Sequence, residues 1–186
     1  CGKPPSVAVG ANVFRSIDAI LAYFDAVHRR AVRDVGMLPP EADGWRPRSG
    51  SGEAAWSVNQ IVGHMAASRL YFVSAYRGEG WVAPPPPDVG SRERWVPALE
   101  ESARETRRLL EGTPDAWLDR KVPMIDTERA LSGWRILAML VEHDIHHRSQ
   151  LDTYAGINGW PVPEIFGRSA ERIGALQAEQ RGKRGR

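Results

Sequence analysis

The segment RILAMLVEHDIHHRSQL, residues 135–151, combines a helical pattern with three of the chain's five histidines. Apolar side chains recur along one side of it at spacings of three and four: Ile136, Leu140 and Leu151. This periodicity is typical of a helix with one buried face. His143 and His147 lie four residues apart on that face, so both rings are expected to point inward. The segment therefore predicts a core helix, over residues 131–154, that carries two paired imidazoles.

Three further segments show the same amphipathic pattern, and each ends at glycine or in proline-rich sequence. They cover residues 11–35, 58–77 and 91–111. Ser57 and Ser91 are suited to cap the second and third of these helices. We expect a short extended stretch at 121–125 and a short helix from Ser169. Four long helices without a set of alternating strands predict an all-α fold, a four-helix bundle.

We assign residues 11–178 to the bundle domain, with an N-terminal tail over 1–10 and a basic C-terminal tail over 179–186. Two long loops interrupt the bundle, at 37–56 and 78–91, and the second contains four consecutive prolines, which favour an extended conformation. A compact domain keeps such a long loop only for a purpose. Three tryptophans in or beside the loops are predicted to form pocket walls: Trp45, Trp56 and Trp81. The alternative is that they seal the end of the bundle.

Composition argues against several kinds of partner. The chain has 25 basic and 23 acidic side chains, a net charge of +2, and no basic recognition helix, so we expect no nucleic-acid partner. No apolar run reaches the roughly 20 residues that span a bilayer, so we expect no membrane partner. The one cysteine excludes an internal disulfide and is typical of a reducing interior. We therefore expect a cytoplasmic protein.

A metal ion bound by His143 and His147 needs a further ligand, and two histidines outside the cluster are candidates. His64 lies on the apolar side of the second helix. His28 is surrounded by arginines, where a solvated or capping role is favoured over ligation. His146 projects about 100° away from His147 around the helix, so we leave it off the metal. The alternative for the whole set is that these histidines are simply packed.

Three segments resemble the DinB/YfiT-like superfamily. HDIHHRSQL resembles its His-x-x-x-His-Arg-Gly-Gln-Leu signature, with Ser149 where the signature has glycine, a small-for-small exchange. WSVNQIVGHMAASRLYF, residues 56–72, resembles the second-helix segment in which the family carries its first metal histidine. PVPEIFGRSAE, residues 161–171, is similar to the closing segment of the family.

The resemblance implies an up-down-down-up bundle that forms homodimers and holds a divalent metal. The ligands that the motif implies are His64, His143 and His147. Zinc is the first choice of metal, and nickel or ferrous iron would also suit imidazole ligands. Three protein ligands leave open coordination positions, as in catalytic sites. Asp144 or Glu142 could accept a hydrogen bond from a ligand ring, and Arg148 could bind a thiol carboxylate or form a structural salt bridge.

Relatives in the superfamily include S-transferases and isomerases that use mycothiol, bacillithiol or glutathione. Of the 25 basic residues here 22 are arginine, a bias typical of GC-rich bacteria, in which mycothiol is the natural thiol. The resemblance therefore implies a thiol S-transferase in which the metal activates a low-molecular-weight thiol for attack on an electrophilic small molecule. The alternatives are another metal-assisted hydrolase, isomerase or cyclase, with water or substrate as the reacting group, and a non-catalytic metal-binding stress-response protein. The sequence does not decide between an enzyme and a binding protein.

Overall fold

The computed structural model describes residues 14–164 and 167–184. Its helices are α1 Ile17–Met37, α2 Val58–Arg77, α3 Trp95–Leu110, α4 Gly133–Asn158 and α5 Ala170–Arg184. Two short strands, β1 Lys121–Pro123 and β2 Ala130–Ser132, pair antiparallel just before α4. The first four helices pack together, so the predicted all-α four-helix bundle is confirmed.

Local capping explains where the first two helices begin. Ser57 and Gln60 form a capping box at α2, with Ser57 Oγ accepting from the Gln60 amide at 3.2 Å and Gln60 Oε1 accepting from the Ser57 amide at 2.9 Å. Ser16 caps α1 by accepting a hydrogen bond from the Ala19 amide on its Oγ, at 3.1 Å. Because of this cap, α1 begins at Ile17, later than the predicted start, and residues 11–13 of that prediction lie outside the described residues.

The third and fourth helices also begin later than expected. A 3-10 turn, Arg92–Arg94, precedes α3, and the fully buried side chain of Trp95 opens the helix itself. The predicted start of the fourth helix belongs to β2, which pairs with the extended stretch expected at 121–125. Gly133 then begins α4 so close to the neighbouring chain that a Cβ there would lie 2.3 Å from the Trp117 carbonyl oxygen. Only glycine fits this junction.

The C-terminal helix is longer than the short one expected from Ser169. It covers Ala170–Arg184, so residues 179–184 of the basic run are helical. The helix is largely exposed. The division between domain and tail after residue 178 falls inside this helix, and it stays a prediction.

The proline-rich loop determines the direction of α3. The loop returns along α2, because Asn59 Nδ2 donates to the Val89 carbonyl at 3.0 Å and a Cβ at Gly63 would lie 3.0 Å from Val89 Cγ2. A polyproline segment of about ten residues spans about 31 Å, so the loop is long enough to run back along the 20 residues of α2. Consequently α3 starts at the same end as α2, in the up-down-down-up order. In cross-section, α1 and α2 each pack against both α3 and α4.

Two hydrophobic clusters fill the bundle, and a layer of polar side chains separates them. One cluster includes Phe24 and Ile136, and the other includes Trp95 and Tyr154. Between them lie polar side chains that are buried or half-buried: His28, Arg69, Ser102, His143, Asp144 and His147. Buried polar groups need partners, so this layer directs attention to its contacts. None of the helices within residues 14–164 and 167–184 is long and apolar enough to cross a membrane.

Candidate metal centre

Three histidines converge between α2 and α4. Nε2 of His64 lies 2.9 Å from Nε2 of His143, and Nε2 of His147 lies 3.2 Å from the same atom. His147 is buried, whereas the other two are half-buried. The four-residue spacing on α4 places two of the rings on one face, and the packing of α2 against α4 brings the third. The structure thus brings together the three residues predicted as ligands.

This donor set suits a divalent metal. Two nitrogens that each lie about 2.0–2.1 Å from one ion in a tetrahedral site are about 3.3 Å apart, close to both observed separations. One ring nitrogen of each histidine lies within 4.8 Å of those of the other two. An N–H on one ring can satisfy only one neighbour, whereas an ion accepts all three lone pairs. The three histidines could therefore hold a divalent metal.

Burial keeps these rings neutral near pH 7. It is the main cause that lowers the pKa of His143 to about 3, and positive charge on His147 or His64 would lower it further. Burial is also the first cause of the lowered pKa values of His64 and His147. A neutral imidazole keeps the lone pair that a metal needs, so binding an ion at neutral pH requires little proton release.

Gln150 orients the ring of His147, a role that the sequence interpretation missed. Its Nε2 donates to the Glu53 carbonyl at 2.8 Å and to the Tyr154 hydroxyl at 3.1 Å, so its Oε1 faces Nδ1 of His147, at 3.1 Å. Nδ1 therefore carries the hydrogen, and the Nε2 lone pair points at the other histidines. The available signal was the spacing, because Gln150 follows His147 by three residues, one helical turn.

The two carboxylates expected to serve the ligand rings have other partners. Asp144 is fully buried and accepts hydrogen bonds from the guanidinium of Arg69, with Nη2 to Oδ2 at 2.7 Å. Glu142 is exposed and pairs with Arg135 at 2.9 Å. The structure therefore assigns the acceptor role at His147 to Gln150 instead.

Trp56 contacts the histidines directly. Its ring centroid lies 4.7 Å from that of His64 and 6.1 Å from that of His147. Trp45, by contrast, packs edge-on against Tyr154 at 4.9 Å and helps to close the end of the bundle, which is the alternative that the sequence left open.

Trp81 is connected to the centre through the ring of Phe72. Its indole packs against Tyr71 and Phe72, with centroid distances of 5.0 and 6.0 Å, and the Phe72 ring lies 5.5 Å from that of His143. Nε1 of Trp81 donates to the Pro123 carbonyl at 2.7 Å. Trp81 thus supports the rings of Tyr71 and Phe72.

Arg148 is turned away from the histidines. Its side chain is buried between α1 and α4, with Nε 3.2 Å from Oδ2 of Asp34. This is the structural salt bridge that the sequence offered as one alternative. The other alternative, binding of a thiol carboxylate by Arg148, is not supported, because this guanidinium faces Asp34.

The two remaining histidines do not belong to the trio. His146 is exposed, and its Nε2 lies 3.1 Å from Oε1 of Glu53. His28 packs on Phe24 in the polar layer, where burial, followed by the charge of Arg69, lowers its pKa to about 4.

Two clefts meet at His64. One, of about 430 Å³, lies between the start of α2 and the proline-rich loop and has Trp56 in its wall. The other, of about 510 Å³, extends over His143, and two aromatic and two proline side chains form part of its wall: Tyr71, Phe72, Pro84 and Pro86. Both volumes suit small ligands. No arginine or lysine is among the described residues that line the two clefts.

Residues 24–151 match the sequence profile of the DinB superfamily. The chain belongs to the DinB superfamily. The matched range contains the three clustered histidines and Gln150, so the centre lies within the part of the chain that matches the DinB superfamily. A comparison with curated proteins gives no match by sequence.

Solved structures of DinB-like proteins share the fold. The protein YjoA from Bacillus subtilis is 18% identical, with a TM-score of 0.60 over 78% of this chain and 96% of its own. A DinB-like protein from Bacillus cereus is 15% identical, with a TM-score of 0.64 over 81% and 97%. YfiT from Bacillus subtilis, described as a probable metal-dependent hydrolase with an unusual four-helix bundle topology, is 18% identical, with a TM-score of 0.60 over 86% and 95%. At these identities the likeness shows the fold alone.

Proposed function

We propose that this DinB-superfamily protein is a metal-dependent enzyme, a thiol S-transferase, whose divalent ion is held by His64, His143 and His147. The observation that carries the proposal is the convergence of three neutral imidazoles, through their Nε2 atoms, beside two clefts. A divalent ion on three imidazoles keeps positions open for a substrate and lowers the pKa of a thiol or water bound there. Zinc is the first choice, and nickel and ferrous iron also suit imidazole donors.

The chain's own residues orient a ligand ring, exclude water from the centre and offer a surface to the substrate. Gln150 fixes the tautomer and the plane of the His147 ring. Trp56 packs against His64 and Phe72 packs against His143, so each ring displaces water from the imidazole that it contacts. The apolar wall formed by Tyr71 and the neighbouring prolines offers a surface to the electrophilic substrate, a small molecule.

Two observations support a thiol as the nucleophile. The HDIHHRSQL segment resembles the signature of a superfamily whose members include thiol-dependent transferases. The described lining of both clefts lacks arginine and lysine, which favours a thiol without a carboxylate, such as mycothiol. Such thiols are kept reduced in the cytoplasm, so the proposal places the protein there.

Hydrolysis is the second candidate activity, with water in place of the thiol. It is favoured by the likeness of the fold to YfiT, which is described as a probable metal-dependent hydrolase. The three-histidine centre serves either nucleophile, because the metal lowers the pKa of both.

The proposal includes a homodimer built on the outer face of α1 and α4. Tyr23 is 43% exposed there, and it lines a third cleft, between α1 and α4, together with Trp134 and Ile145. Exposed apolar patches of this kind are typical of interfaces. Light scattering coupled to size-exclusion chromatography tests it, with Tyr23→Glu expected to shift the mass from two chains to one.

Metal content is the first measurement. We expect about one divalent ion per chain by elemental analysis of the purified protein. His64→Ala, His143→Ala and His147→Ala should each lose this ion, whereas His146→Ala should keep it. Circular dichroism of each variant separates loss of a ligand from loss of the fold.

Activity is then measured on the same samples. Mycothiol with a chlorinated dinitrobenzene reports thiol transfer, and a nitrophenyl ester reports hydrolysis. Metal-dependent thiol consumption supports the transferase, and metal-dependent ester cleavage without it supports the hydrolase. A folded wild-type protein that takes up no divalent ion, even after reconstitution, would overturn both.

A further inference from the structure

Glu53 places a carboxylate beside the histidines. It lies on the 3-10 turn Gly52–Ala55, in the loop between α1 and α2. Its Oε1 is 3.1 Å from Nε2 of His146 and 4.0 Å from Nε2 of His147. Among the described residues, Glu53, His146 and His147 form a second group whose ligand atoms lie within 4.8 Å of one another, and it shares His147 with the histidine trio.

The segment that carries Glu53 is fastened to α4. Gln150 donates to the Glu53 carbonyl at 2.8 Å, and the Tyr154 hydroxyl lies 3.2 Å from the carbonyl oxygens of Ala54 and Trp56. Several hydrogen bonds from α4 therefore hold the backbone at Glu53 and in the residues that follow it. The carboxylate is half-exposed and is held by His146 on one side, and rotation about its side-chain bonds can move it while its backbone stays beside the centre.

The other nearby carboxylates are engaged elsewhere. Asp144 is buried against Arg69, and Glu142 pairs with Arg135 on the surface. Three neutral imidazoles leave the full charge of a divalent ion uncompensated, and carboxylate oxygens are common ligands of such ions, at about 2.0–2.2 Å from zinc. Glu53 is thus the acid placed to offset that charge.

We propose that Glu53 is a fourth donor to the ion held by His64, His143 and His147, and that His146 is the positioning residue that keeps its carboxylate at the mouth of the centre. The inference rests on the proposed histidine metal site. It adds a ligand from the loop, which the three-histidine motif does not contain. A substrate donor would then have to displace a carboxylate that is half-exposed and held on one side by His146.

Cobalt(II) is the probe, because its visible absorption depends on the number and type of donors. The whole chain is titrated with Co²⁺, and affinity is measured by competition with a chelator. Glu53→Ala and Glu53→Gln should each lower the affinity at least tenfold and change the visible spectrum. His146→Ala should keep the wild-type spectrum with a smaller loss of affinity. Glu142→Ala, which removes an exposed carboxylate next to His143, is the matched control and should match wild type.

The outcomes separate this inference from the proposed function. Folded wild-type protein that binds no Co²⁺ overturns both. Binding by wild type with the same affinity and spectrum in Glu53→Ala overturns the fourth donor alone and leaves the histidine site in place. In a third result, Glu53→Gln matches wild type while Glu53→Ala and His146→Ala lose affinity equally. Glu53 would then only position the loop through its contact with His146, and this result would also overturn its role as a donor.

Discussion

Each histidine that α4 contributes to the centre is followed by a buried charged side chain. The two charged side chains have very different partners. Asp144, after His143, pairs with Arg69 of α2, whose Nη2 is 2.7 Å from Oδ2 and whose Nε is 3.1–3.2 Å from both carboxylate oxygens. Arg148, after His147, lies 3.2 Å from Asp34 of α1. Among the described residues, however, no aligned hydrogen bond reaches either Asp34 carboxylate oxygen.

The difference shows what makes a buried ion pair stable. Nη1 of Arg69 also donates to the Leu99 carbonyl at 2.7 Å and to Ser102 Oγ at 3.0 Å, so this guanidinium exchanges water for several protein partners. A buried pair offsets its desolvation only when such partners are present. At Asp34 the balance goes the other way, because burial, with the charge of Asp152 adding to it, raises the pKa to about 6.

Removing one partner of the well-bonded pair should have the largest effect. We expect Asp144→Ala to lower the free energy of unfolding by about 3–5 kcal/mol, because it leaves the Arg69 guanidinium buried without its counter-charge. Replacing both partners, in Arg69→Met with Asp144→Leu, should cost less than the single change. Denaturant unfolding followed by circular dichroism measures both.

Glu142→Ala is the matched control, since it removes an exposed carboxylate from the same helix, paired with Arg135. It should change stability by less than about 1 kcal/mol. If Asp144→Ala were as mild as this control, the Arg69–Asp144 pair would contribute little and the contrast between the two pairs would fail.

The four helices and the His143–His147 pair could be predicted because both depend on local spacing. His64 could be proposed from the same pattern together with the family motif. The strand β2 could not, since three residues carry too little periodicity to separate a strand from the start of a helix. The 3-10 turn before α3 was missed for the same reason.

The polar layer could not be read from the sequence. Arg69 and Asp144 are 75 positions apart, and a charged residue on a helix is normally exposed, so neither pattern nor propensity indicates that they meet inside the bundle. Glu53 lies in a glycine-rich loop without periodicity. Its position beside the histidines depends on hydrogen bonds from Gln150 and Tyr154, which only the packed structure supplies.

The poorly aligned pair should respond to pH. Folding raises the pKa of the Asp34 carboxyl from 3.8 to about 6. The protonated carboxyl therefore contributes its full stabilisation below pH 3.8, and this stabilisation is lost as the pH rises through 6. Relative to wild type, Asp34→Asn should therefore gain on the order of 3 kcal/mol in unfolding free energy between pH 4 and pH 7. Unfolding of both proteins across this window gives the difference directly.

Taking the difference cancels the opposite contribution of histidines such as His28, whose pKa is lowered in the fold. A difference that stays flat from pH 4 to pH 7 would mean that Arg148 holds Asp34 ionised throughout. The two buried pairs would then be alike.

The smallest effect should come from Ser102, which tests how much a single added partner contributes to the well-bonded pair. Its hydroxyl accepts from Nη1 of Arg69 and donates to the Leu99 carbonyl, both at 3.0 Å. Ser102→Ala should lower the unfolding free energy by about 1 kcal/mol, because Nη1 keeps its bond to Leu99 and only part of its hydrogen bonding is lost.

Thr106, one turn later on the same helix, is the matched control. Its buried hydroxyl has no hydrogen-bond partner among the described residues, so Thr106→Val should leave stability unchanged or raise it. Equal losses in Ser102→Ala and Thr106→Val would show that both changes report packing in α3. A loss confined to Ser102→Ala would instead attribute it to the hydrogen bond to Arg69, the kind of partner that Asp34 lacks among the described residues.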